Sequence, residues 1–73
     1  MTLEALGQEA RRFRQQAQDL QDTRPRVPQG EPSQAAIQEW VEEVVAWEAA
    51  NRWRLTELWE RADALEAIVG SSV

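Results

Sequence analysis

Apolar residues recur every three or four positions over residues 33–69, and this long stripe constrains the fold more than any other feature. Such spacing is typical of one face of an α-helix. The stripe comprises Ile37, Trp40, Val41, Val44, Trp47, Leu55, Leu58, Trp59, Ala62, Leu65 and Val69. A chain of 73 residues has little core of its own, so a surface of this length needs a cover.

The preceding segment, residues 2–23, predicts a shorter helix that Thr2 is placed to cap. Its apolar positions keep the same three-four spacing and form a narrow seam. The seam comprises Leu3, Leu6, Ala10, Phe13, Ala17 and Leu20. Two of these six positions are alanine, which favours close approach of a neighbouring helix.

Three prolines between the two segments exclude a continuous helix, because proline lacks an amide hydrogen and clashes with the preceding turn. Pro32 or Ser33 is expected to open the second helix, and Gly70 to end it. We therefore predict a single all-α domain, an antiparallel helical hairpin with a short first and a long second helix. Its parts are helix 2–23, loop 24–32, helix 33–69 and tail 70–73, within one domain of residues 1–73.

The two halves of the chain differ in charge. Residues 1–30 contain five arginines and four acids, whereas residues 31–73 contain three arginines and nine acids. If the loop acts as a turn, Phe13 faces the region 41–44, and the first helix covers Trp40 and Trp47. The same register brings three arginines near two carboxylates. These are Arg11, Arg12 and Arg14 on the first helix and Glu42 and Glu43 on the second.

In that register the stripe beyond Asn51 lacks an intramolecular cover, so we predict that other chains bind there. The expected partners are a second copy, giving a homodimer with a four-helix, coiled-coil arrangement, and an unidentified protein. The predicted partner-binding residues are Trp53, Leu55, Leu58, Trp59, Ala62, Leu65 and Val69. The competing prediction is a break near Asn51 that folds the remainder back as a third helix.

Two residues of this region have alternative interpretations. Asn51 lies at the centre of the apolar stripe, where a buried polar residue fixes register and oligomeric state in coiled coils. Asn51 equally fits an irregularity in the helix or a hydrated site at the open end of the hairpin. Trp53 points away from the stripe, which fits either a contact with a partner or incidental exposure.

Several functions are disfavoured by composition. The chain has no cysteine, histidine or lysine, so disulfides, a zinc or haem site and a base for a serine nucleophile are not expected. The net charge of −5 argues against nucleic acid as a partner. No phosphate-binding loop and no long apolar run is present, so we expect a cytoplasmic, noncatalytic protein without cofactor, small-molecule substrate or membrane contact.

These observations predict a small acidic adaptor or modulator that acts by binding protein. One alternative is a phage-type inhibitor of a host protein, and an acidic mimic of nucleic acid is one form that such an inhibitor takes. Another is a secretion-system chaperone or filament subunit. The use of arginine without lysine is associated with a GC-rich coding sequence and suggests a bacterial or phage origin.

Overall fold

The computed structural model describes residues 2–71 as two helices, with no strand among them. Helix α1 spans Leu3–Gln21 and helix α2 spans Gln34–Ser71. The prediction of an all-α hairpin with a short first and a long second helix is therefore confirmed. The molecule is elongated, with extents of 53 × 23 × 15 Å.

Both helices begin at a hydroxyl cap. The Thr2 Oγ1 accepts a hydrogen bond from the Ala5 amide at 3.1 Å, as the sequence predicted. The Ser33 Oγ accepts one from the Ala36 amide, also at 3.1 Å. Of the two residues predicted to open α2, the serine supplies the cap.

Helix α2 is continuous over 38 residues, without a break at Asn51. The Asn51 side chain stays within its own helix, because its Nδ2 donates to the Trp47 carbonyl oxygen at 2.9 Å. The predicted end at Gly70 is wrong, since α2 includes Gly70 and continues to Ser71. The last two residues of the predicted tail, 72–73, lie outside the described residues.

The register of the hairpin differs from the prediction. Helix α1 packs antiparallel on the second half of α2, so that the Phe13 ring lies 5.7 Å from the guanidinium carbon of Arg61. Nearby, Arg14 reaches Glu66. The expectation that Phe13 faces the region 41–44 is therefore wrong. The first helix does not cover the first half of α2, which contacts another part of the chain.

That cover is the proline-containing loop, residues 22–33. The indole Nε1 of Trp47 donates to the Thr23 Oγ1 at 2.9 Å, and that of Trp40 donates to the Pro25 carbonyl oxygen at 3.2 Å. From Thr23 to Pro25 the loop thus advances toward the start of α2. Proline favours extended backbone of about 3 Å per residue, so the loop runs along the helix instead of turning back at once.

The core is small and lies between α1 and the second half of α2. Its buried members are Ala10 and Ala17 of α1 and Leu58 and Ala62 of α2. The predicted seam of α1 is therefore the packed face, and its alanines are the most deeply buried positions on it. Small side chains on both helices allow the two backbones to approach closely.

Replacing Leu58 by alanine is expected to lower the free energy of unfolding by about 2–5 kcal/mol, because it leaves a cavity beneath α1. Urea denaturation followed by circular dichroism measures the loss. Leu3→Ala is the matched control, since Leu3 is already 44% exposed. Equal losses for the two variants would contradict the packing of α1 on this half of α2.

Candidate interaction surface

The predicted partner-binding residues fall into three groups: buried, half-buried and exposed. Leu58 and Ala62 are buried under α1, and the other stripe positions are half-buried. These half-buried positions are Leu55, Trp59, Leu65 and Val69. Only Trp53 stands clear of the hairpin, at 83% exposure. The expectation that the stripe beyond Asn51 lacks an intramolecular cover is thus wrong, because α1 lies over it.

Arg14 holds this cover in place from α1. Its Nε and Nη2 donate to the two carboxylate oxygens of Glu66 at 2.9 and 2.6 Å, a bidentate pair. Its Nη2 also reaches the Asp63 carboxylate at 3.3 Å. The guanidinium carbon lies 5.2 Å from the centre of the Trp59 ring, within range of a cation–π contact. The hydrogen bond with Glu66 raises the pKa of Arg14, so the side chain stays cationic.

The predicted pairing of the α1 arginines with Glu42 and Glu43 is wrong in position. The carboxylates that meet Arg14 lie about six turns further along α2. Arg12 pairs with Glu9 on its own helix at 2.8 Å. Charge complementarity between the helices is present, but it does not involve the expected acids.

Asn51 occupies a half-buried position one turn beyond Trp47. Its predicted role in fixing register remains a prediction, since its amide bonds within α2. The contacts that align the two helices within the hairpin are made by the loop and by α1. Besides the bonds of Arg14 with Glu66, these contacts include the Thr23–Trp47 hydrogen bond and the Arg24–Glu48 ion pair at 3.1 Å.

A second apolar row winds around α2 from the stripe to the solvent side, a pattern that the sequence analysis did not identify although it named three of the residues. Its members are spaced by four residues: Ile37, Val41, Val45, Ala49 and Trp53, all exposed. Because each step of four residues turns about 40° around the helix axis, the row starts within the stripe at Ile37 and ends on the opposite side of the helix at Trp53. A search for residues on one fixed face does not detect it. Its signal in the sequence is the recurrence of apolar residues at every fourth position.

The middle of this row widens into an apolar surface that we call the outer face. It comprises Val45, Ala46, Ala49, Ala50 and Trp53, all exposed. Val45 and Trp53 are the most exposed large apolar side chains of the described helices, at 63% and 83%. A chain with its loop and first helix packed on one side of α2 therefore presents a second apolar side to solvent.

A shallow depression of about 340 Å³ lies at the end of the outer face, lined by Arg52, Trp53 and Thr56. Each of these side chains carries a hydrogen-bond donor: a guanidinium, an indole N–H and a hydroxyl. A carboxylate, which only accepts hydrogen bonds when ionised, is the complementary group.

The surface of the whole chain is large for its mass. A compact monomer of 8.4 kDa exposes about 4,600 Å², whereas this chain exposes 5670 Å². The excess of about 1,000 Å² exceeds the roughly 800 Å² that each partner buries in a standard protein interface. The elongated shape of the hairpin exposes more surface than a compact chain of the same mass.

Within residues 2–71, no cluster of three acidic side chains is arranged to hold a metal ion, and neither helix has the length and apolar character needed to span a bilayer. No family model, curated protein or solved structure matches this chain.

Arg14→Lys is expected to destabilise the hairpin, because lysine keeps the charge but loses the bidentate fork and the flat stacking on Trp59. The urea midpoint should fall by more than it does for Arg26→Lys, which alters an exposed arginine of the loop. Unchanged midpoints for Arg14→Lys would argue against its role in aligning α1.

Proposed function

We propose that this chain is a noncatalytic protein-interaction module that self-associates through the outer face of α2. The observation that carries the proposal is Trp53, exposed to 83% within an apolar surface. Tryptophan is enriched among the residues that dominate binding energy in protein interfaces. The arrangement supports a role in holding proteins together, in keeping with a small acidic adaptor.

The surface involved differs from the one expected from the sequence. Residues 55–69 serve the hairpin itself, so self-association through them would require α1 to leave. The outer face needs no such rearrangement, because α1 and the loop lie on the other side of α2. Two hairpins joined there would form a four-helix arrangement with the two α2 helices at its centre.

The size of the surface is consistent with a moderate affinity. A fully buried tryptophan removes about 150–250 Å² from solvent, and a symmetric dimer would bury two of them. Alanines between Val45 and Trp53 add little area but allow close approach of the helices. An affinity in the micromolar range is therefore more fitting than a nanomolar one.

The acidic-mimic alternative receives less support from the charges on α2. Glu57, one of the carboxylates such a mimic would use, is already paired with Arg54 at 3.6 Å and with Arg61 at 2.5 Å. Binding by an acidic mimic would weaken steeply with added salt. Association through an apolar face would persist, because salt screens the repulsion between two chains of charge −5.

Sedimentation equilibrium between about 1 μM and 1 mM is expected to detect a reversible dimer of the wild-type chain. Trp53→Ala should weaken it by at least about 30-fold, the effect of losing a hot-spot residue. Val27→Ala, which truncates a 54% exposed loop residue, is the control and should leave the dimer unchanged. A wild-type chain that stays monomeric throughout this range would refute self-association.

A further inference from the structure

We infer that the occupant of the outer face is a second copy of this chain, bound antiparallel across a two-fold axis at Ala49. In this dimer Glu42 of each copy inserts into the depression lined by Arg52, Trp53 and Thr56 of the other. The inference rests on the proposed function and adds the orientation, the register and the polar contact that selects them.

The position of the axis follows from the order of residues on α2. A two-fold axis at Ala49 places each residue opposite the one equally far on the other side of position 49. Val45 then lies opposite Trp53 of the second copy, and the small Ala49 side chains meet at the centre. The two largest exposed apolar side chains of the outer face thus cover each other twice per dimer.

The geometry of the exposed row suits this crossing. Rows spaced by four residues interlock most often at an interaxial angle of about −50°, and alanine at the contact allows axes about 8 Å apart. Val45 and Trp53 each lie about 40° from Ala49 around the helix, so this part of the row, without Ile37 and Val41, meets the partner at the crossing point. Large side chains flank the crossing on both sides.

The same axis aligns Glu42 with the depression. Glu42 lies seven positions before Ala49 and Thr56 lies seven positions after it, so the two are opposite each other in the antiparallel dimer. Arg52 lies one turn from Thr56, on the side nearer the crossing point. The exposed Glu42 carboxylate therefore meets a surface with three hydrogen-bond donors, including a cation.

Charge favours the antiparallel orientation over the parallel one. A parallel pair in register would place Glu42 beside its own copy and Arg52 beside its own copy, two contacts between like charges. The antiparallel pair replaces both with contacts between opposite charges. The orientation matters because α2 contains more acidic residues than arginines. Only the antiparallel orientation brings Glu42 of one copy to Arg52 of the other and so relieves the repulsion between the two helices.

Disulfide trapping tests the axis, and the chain suits it because it contains no cysteine. Ala49→Cys should oxidise to a covalent dimer, because the two side chains meet at the axis. Ala46→Cys is the matched control. In the antiparallel dimer its two copies are offset by about 9 Å along the helices, beyond the roughly 7 Å that a disulfide spans. A parallel dimer would instead cross-link both variants.

Charge reversal tests the polar contact. Glu42→Arg and Arg52→Glu should each weaken the dimer by at least 10-fold in sedimentation equilibrium, about the effect of breaking a charge-assisted contact in an interface. The double variant restores opposite charges at both sites and should recover most of the wild-type affinity. Both substitutions are at exposed positions, so circular dichroism should report an unchanged helix content for all three variants.

The outcomes separate this inference from the proposed function. Cross-linking at position 49 alone, with recovery in the double charge variant, supports the antiparallel dimer. A wild-type dimer that cross-links at position 46, or that ignores the charge changes, overturns the inference while self-association stands. A wild-type monomer at all concentrations overturns both.

Discussion

The path of the loop along the first half of α2 determines the rest of the structure. A loop that turned back at once would have placed α1 on the first half of α2. Because proline keeps the backbone extended, the loop itself occupies that half and delivers α1 to the second. The position of the core, the pairing of Arg14 and the exposure of the outer face all depend on this path.

Helix α2 is consequently covered by two different kinds of contact. Along its first half, the indoles of Trp40 and Trp47 pack under the loop and donate hydrogen bonds to it. Along its second half, alanines of α1 pack against Leu58 and Ala62. Neither cover reaches the other side of the helix, which is why an apolar row can persist there in a chain this small.

The features that depend on local periodicity could be predicted from the sequence. They include both helices, the Thr2 cap, the seam of α1 and the outward position of Trp53. The register of the two helices could not be predicted, because it depends on the path of the loop. Acidic residues also occur along most of α2, so the arginines of α1 would find carboxylates in more than one register. The exposed row was missed for a geometric reason, since residues four apart drift around the helix and never share one fixed face.

The length of the loop also sets the register in which α1 packs on α2. The loop spans the part of α2 between Trp47, which bonds to Thr23, and the helix start at Gln34, a rise of about 20 Å. A shorter loop would therefore draw α1 back toward the start of α2, and Arg14 would no longer reach Asp63 and Glu66. The length of this irregular segment, and not only the apolar pattern of the helices, is thus part of the information that specifies the core.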